Sequence, residues 1–209
     1  MLRAVARRVA ARAYLREEHV WYALPLDGVQ QPRELPTGLE LVQAQTGDAS
    51  LAVQHGRGAG EVARRVGEGH ELWIVRDEDR AAFSCWIYVE RAPAIAASGG
   101  WFVVPRGSVC LEDSITSPDY RGRGVAPAAW ERIAAHARTH GAETMVTKVA
   151  QDNTPSRKAV SKAGFKEVAV MRLTRVGPRR RVTFEHVVGA TGKALAEAFG
   201  ASSEADHPR

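Results

Sequence analysis

The chain has 209 residues, enough for one domain with a sizeable core. Apolar residues make up 44% and charged ones 25%, an ordinary globular balance, and no apolar run is long enough to span a bilayer. Two cysteines, Cys85 and Cys110, lie far apart without CxxC spacing, which argues against a zinc knuckle or a disulfide framework and for a reducing cytoplasm. The net charge of +5 gathers at the ends, in Arg3, Arg7, Arg8, Arg12 and Arg16 and again in Arg172, Arg175, Arg179, Arg180 and Arg181. Charge placed there says little about the central chemistry; Arg179–Arg181 reads as a solvated strand end, and no nucleic-acid partner is expected.

Residues 1–16 read as a short Ala/Arg helix, with Leu2, Val5 and Val9 on one face and Arg8, Arg12 and Arg16 on another. Such an arm leans on the domain and leaves room for weak membrane-surface contact. Pro25, Gly28, Pro32, Pro36 and Gly38 mark a linker, so the arm and linker take residues 1–37. The domain proper is expected over 38–177. Leu39–Gln43 alternates like a strand, Thr46-Gly47-Asp48 offers helix caps, and Glu61–Val66 is a further helical piece. Glu71–Arg76 and Ala81–Val89 form a hairpin about Asp77-Glu78-Asp79, and Trp101–Val104 with Val109–Thr116 form another about Pro105-Arg106-Gly107.

From Gly124 the period changes: Ala126, Trp130, Ile133 and Ala137 fall at helical spacing, Pro127 suits a first turn and Gly141 a C-terminal cap. Thr144–Val149 is a strand, Thr154-Pro155 opens a short helix that Gly164 ends, and Phe165–Val176 is a strand. After Pro178 the signals weaken; residues 178–209 read as an extension with a disordered tail from Ala201. The order predicts an α/β fold, a single mixed and mostly antiparallel sheet flanked by helices.

The segment Val109–Trp130 carries the chemistry. A strand runs through Ser117-Pro118-Asp119-Tyr120 into Arg121-Gly122-Arg123-Gly124-Val125-Ala126 and a helix. Glycines at a strand-to-helix turn let backbone approach a ligand, and the unsatisfied N–H groups of a helix start favour anions, so the turn is built as a diphosphate cradle. It lacks the G-x-G-x-x-G spacing of dinucleotide sites and the Gly-Lys-Ser/Thr of a P-loop. The segment resembles the coenzyme A motif of the GCN5-related N-acetyltransferase (GNAT) superfamily, Arg/Gln-x-x-Gly-x-Gly/Ala, met by Arg121, Gly124 and Ala126. Asn153-x-x-Ser156 followed by Gly164-Phe165 resembles that family's second element. The resemblance is firm over about 108–165 and loose over 39–176.

The resemblance implies an acetyl-CoA-dependent N-acetyltransferase acting on a primary amine of a small-molecule acceptor, without a metal. A longer acyl donor, a protein amine, or a non-catalytic acyl-CoA-binding or regulatory module are the alternatives; steep salt dependence of RNA binding with no acyl-CoA effect would mark a third reading. By resemblance, Ser114, Ile115 and Thr116 hold the pantetheine and thioester, Gly122, Gly124, Val125, Ala126 and Pro127 hold the pyrophosphate with backbone, and Arg121 and Arg123 add charge. Asn153 and Ser156 line the pantetheine slot, though each also suits a helix start. The acceptor amine arrives protonated, so a base is needed. Glu112 and Asp113 are the candidates; alternation allows only one to face the acceptor, with Glu112 favoured, and both pairing with cations is the structural alternative. Thr116 N–H is the candidate oxyanion donor. Many relatives carry a tyrosine seven residues after the asparagine as an acid for the thiolate; here Val160 stands there. His136 and His140, spaced i,i+4, are discounted as metal ligands for want of an accompanying carboxylate motif. A homodimer is left open.

Overall fold

The computed structural model describes residues 14–28, 31–45, 48–94, 100–177 and 179–205. In chain order the elements are β1 (Tyr14–Pro25), β2 (Glu40–Gln43), α1 (Ala49–Val53), α2 (Ala59–Gly67), β3 (Glu71–Asp77), β4 (Arg80–Tyr88), β5 (Arg91–Pro93), β6 (Trp101–Val103), β7 (Ser108–Thr116), a 3₁₀ turn (Pro118–Tyr120), α3 (Val125–Thr139), β8 (Thr144–Ala150), α4 (Thr154–Lys162), β9 (Lys166–Val176), β10 (Arg179–Glu185) and α5 (Gly189–Ala205). Eight strands form one sheet in the order β10-β9-β1-β8-β7-β4-β3-β2, and β5 and β6 pair separately. All pairings are antiparallel except β7 with β8. The expected mixed, mostly antiparallel sheet flanked by helices is what forms.

Alternation sends side chains to both sheet faces, and each face has its own core. One face packs Val20, Tyr22 and Leu24 of β1 with Trp130, Ile133 and Ala137 of α3 and Val160 of α4. The other packs Trp21 and Ala23 with Leu51 and Val62 of α1 and α2, Phe102 of β6, and Leu195 and Phe199 of α5. Helix α3 buries Trp130, Ile133 and Ala137 of the predicted stripe, with Val125 and Ala129 beside them and Ala126 half-buried, and Gly141 follows its end with φ 89°.

The ends differ from expectation. Residues 1–13, where most of the N-terminal helix was expected, lie outside the described residues, but residues 14–16 belong to a strand. The sheet begins at Tyr14, not Leu39: β1 lies between β8 and β9, and its stretch Val20–Leu24 is buried because it is covered on both faces. The expected boundaries at 37/38 and 177/178 therefore fall between strands of one sheet. At the C-terminus β10 pairs with β9, and α5 lays Leu195 and Phe199 into the core, with Phe199 stacked on Phe102 at 4.7 Å. Gly192 permits that packing, because a Cβ there would meet the Val168 carbonyl oxygen at 2.5 Å. Helix α5 runs through Ala205, into the segment expected to be a disordered tail; 206–209 lie outside the described residues. Nor do β6 and β7 form a hairpin: β6 pairs with β5, and both edges of β7 are taken by β4 and β8.

Candidate active site

The site grows from the way β7 and β8 part. Their parallel register runs only from Ser108↔Thr144 to Leu111↔Thr147, while β7 continues to Thr116 and β8 to Ala150. Past Leu111 the strand keeps β4 as its partner, and Asp113 and Ser114 are exposed. Ser117 N–H donates to the Ala82 carbonyl on the β4 side at 3.0 Å. Alternation then directs the N–H and C=O of Thr116 to the opposite edge, into the split. The Thr116 carbonyl accepts from Arg121 Nε at 3.2 Å, and Ser114 Oγ accepts from Trp130 Nε1 at 3.2 Å.

The Arg-Gly turn sits at the end of this strand. Gly122 and Gly124 have φ 74° and 77°, a left-handed conformation that L side chains adopt at a cost. A Cβ at either would meet nothing within 4 Å, so the turn faces open space. Gly124 caps α3 with no side-chain hydrogen bond, and the helix's first turn carries no acid, so its N–H groups are left for an anion. Arg123 lies over the Tyr120 ring at 5.2 Å, and Tyr120 is anchored by its hydroxyl donating to Asp77 Oδ2 at 2.7 Å. Val125 is buried, whereas Ala126 and Pro127 are half-buried. These features fit a diphosphate. Across the split, Asn153 caps α4, its Oδ1 accepting from Ser156 N–H at 3.2 Å, while Val160 of the same helix is buried in the core shared with α3.

The two acidic candidates do not obey alternation. Asp113 has φ 56°, and the β4–β7 register shifts between Ser84 and Trp86, so a bulge interrupts β7. Both carboxylates consequently reach cations on the face that carries α1 and α2. Glu112 pairs with Lys148 Nζ at 2.6 Å across the split, the two side chains being only 14% and 5% exposed. Burial raises the Glu112 carboxyl above its ordinary range, with Lys148 pulling the other way. Asp113 lies 3.3 Å from the guanidinium of buried Arg57. Lys148 also donates to the Pro93 carbonyl at 2.9 Å and sits over Trp21 at 5.3 Å. Sequence reasoning passed over both cations. A lone lysine in the apolar strand Thr144–Val149 was a readable signal; Arg57 offered none.

Beside Lys148 on β1 stand Glu17, whose carboxyl burial raises, and His19. His19 is half-buried and its Nδ1 has no partner; burial, and then the Lys148 ammonium, lower its pKa from 6.5 to about 4, against an opposing pull from Asp152. Between those values the unfolded chain binds a proton that the folded chain refuses, so stability is lost as pH falls through that window. A His19→Gln variant is expected to lose about 1 kcal/mol less than the parent between about pH 7.5 and 5, after discounting for the ring's contact with solvent. Urea unfolding at the two pH values measures it; equal losses would show that His19 does not carry the effect.

The His136 and His140 rings lie 4.1 Å apart, tilted by 31°, with His140 Nδ1 2.9 Å from the His136 carbonyl. Among the described residues no group of three His, Cys, Asp or Glu is placed to hold a metal, and no helix is long and apolar enough to cross a membrane.

A sheet opened between two parallel strands, with an uncapped helix start on a left-handed glycine turn at the opening, leaves a slot of free backbone with an anion-favouring end. Residues 57–165, just over half of the chain, match the model of the Acetyltransferase (GNAT) family, and the chain belongs to that family. Solved structures agree in fold. A protein from Drosophila matches with TM-score 0.57 at 13% identity, covering 85% of this chain and 57% of that one. A GCN5-related N-acetyltransferase from Sphaerobacter thermophilus matches with TM-score 0.55 at 14% identity, covering 86% and 56%. A putative acetyltransferase of the GNAT family from Novosphingobium aromaticivorans matches with TM-score 0.54 at 15% identity, covering 78% and 66%. The chain thus spans 56–66% of the length of these three. No curated protein sequence matches it.

Proposed function

We propose that this protein transfers an acetyl group from acetyl-CoA to a primary amine of a small-molecule acceptor, in the cytoplasm. The observation that carries the reading is the open glycine turn at the uncapped start of α3, set at the end of the β7 edge that β8 has left bare. In this reading backbone from Gly122 to Pro127 cradles the diphosphate, Arg121 and Arg123 add charge, and Ser114 to Thr116, with Asn153 and Ser156, hold the pantetheine arm. Glu112 is the base. Its desolvated carboxyl lies above the usual carboxylate range, which suits it to take a proton, directly or through water, from an amine that arrives charged. The amine nitrogen attacks the thioester carbon, Thr116 N–H stabilises the oxyanion, and the C–S bond breaks. A thiol titrates near 8.5, so the thiolate leaves without needing an acid at the position of Val160.

Thermal unfolding with and without acetyl-CoA tests the cradle. At a hundred times its dissociation constant the ligand should stabilise the parent by about 2.7 kcal/mol, and a Gly124→Glu variant, with a carboxylate at the helix start, should show no ligand shift. An amine panel scored by thiol release then tests transfer. A non-catalytic acyl-CoA-binding module is the second reading, favoured by the pairing of both acids with cations; it wins if acetyl-CoA stabilises the chain and no amine releases thiol. A longer acyl chain or a protein amine wins if only those are turned over.

A further inference from the structure

The stretch of β7 that would face the thioester is held at both ends by one turn far away in sequence. Arg57, 6% exposed and just before α2, donates from Nη2 to the Asp113 carbonyl at 2.6 Å and lies 3.3 Å from the Asp113 carboxylate. Its Nη1 donates to Ser84 Oγ at 3.1 Å. Ser84 Oγ is 2.5 Å from His55 Nδ1, and His55 Nε2 is 2.8 Å from Ser117 Oγ. The Ser117 hydroxyl donates to the Ala81 carbonyl at 2.6 Å, so it can only accept from His55. In the neutral ring that burial and the neighbouring Arg57 favour, His55 carries its proton on Nε2 and accepts at Nδ1 from the Ser84 hydroxyl. The hydroxyls of Ser84 and Ser117 then each have one donor role and one acceptor role.

The two ends of this network matter because of what lies between them. Asp113 sits at φ 56°, a left-handed conformation that L side chains rarely adopt and that persists where the surroundings impose it. The bulge at Asp113 sets the rotation of the strand after it, hence the aim of the Ser114 to Thr116 backbone into the split. We infer that Arg57 is a positioning residue for acyl transfer: it clamps the Asp113 bulge by its carbonyl, while His55 fixes the far end at Ser117, and together they aim the Thr116 N–H at the thioester oxygen. The inference rests on the acetyl-CoA reading above. It assigns Asp113 a structural carboxylate, distinct from the base.

The test is the carbonyl ¹³C resonance of [1-¹³C]acetyl-CoA bound to the full chain, which moves downfield when a donor polarises the thioester. The parent should show that shift. Arg57→Ala should bind acetyl-CoA within about threefold of the parent, because the diphosphate contacts are elsewhere, and lose the shift. If it does not fold, Arg57→Lys replaces it, since one ammonium cannot reproduce the guanidinium's fork and should also lose most of the shift. Asp113→Gly removes the carboxylate but accepts the positive φ and keeps the carbonyl, so it should retain the shift. An Arg57 variant that binds and keeps the full shift overturns the inference. So does Asp113→Gly losing the shift while binding, because the carboxylate rather than the clamp would then be the determinant. A folded parent that binds no acetyl-CoA removes the functional reading, and the inference falls with it.

Discussion

Deleting residues 1–25 is expected to leave a chain with no cooperative thermal unfolding. β1 pairs with β8 from His19 to Pro25 and with β9 from Tyr14 to Ala23, so its loss leaves two unpaired edges in the middle of the sheet. It also opens both cores at once, since Tyr22 belongs to one and Trp21 to the other, each fully buried. Truncating a single buried Trp or Phe to Ala costs about 3–5 kcal/mol, and a domain's whole stability is about 5–15 kcal/mol. Near-UV circular dichroism and a melting curve of residues 26–209 measure the outcome. A sharp transition near the parent's midpoint would mean that the remaining strands close the sheet without β1, and that the segment is an accessory after all.

That strand marks where the sequence was hard to read. The glycine turn, α3 and α4 were legible because local chemistry decides them: left-handed glycines, a proline in a first turn, an asparagine cap and a helical stripe each act within a few residues. β1 begins Tyr14-Leu15-Arg16-Glu17-Glu18, which has no clean period, and follows an arginine-rich segment that reads as a helix. Its partners lie more than a hundred residues away, in β8 and β9. Even so, the run Val20-Trp21-Tyr22-Ala23-Leu24 was a short apolar stretch of the kind that strands covered on both faces display. The Asp113 bulge had no such signal. A non-glycine residue is driven to positive φ there, under a clamp from Arg57, 56 positions away, and strict alternation therefore placed the two carboxylates on opposite faces when both turn to one. Local pattern finds the glycine turn; only long-range pairing finds what surrounds it.

The ion pair between Glu112 and Lys148 carries the second large expectation. Both side chains are nearly out of water, and removing one partner of a buried pair costs about 3–5 kcal/mol because the other is left charged and unmatched. Lys148→Met is therefore expected to destabilise the protein by about that much, and more than Glu112→Gln, after which the ammonium keeps the Pro93 carbonyl and the Trp21 ring. The Glu112→Leu/Lys148→Met double variant removes both charges and is expected to recover to within about 1–2 kcal/mol of the parent. Activity should not recover with it. With Glu112 as the base, the double variant stays roughly 10²–10⁴-fold slow in thiol release, while acetyl-CoA still shifts its melting point. In Lys148→Met the lost counter-charge raises the Glu112 carboxyl further, so the acidic limb of its pH–rate profile should move to higher pH. A double variant that regains stability and turns over at the parent's rate would remove Glu112 from the chemistry, leaving the pair a structural tie across the split. If neither single variant loses stability, the pair does not form in solution.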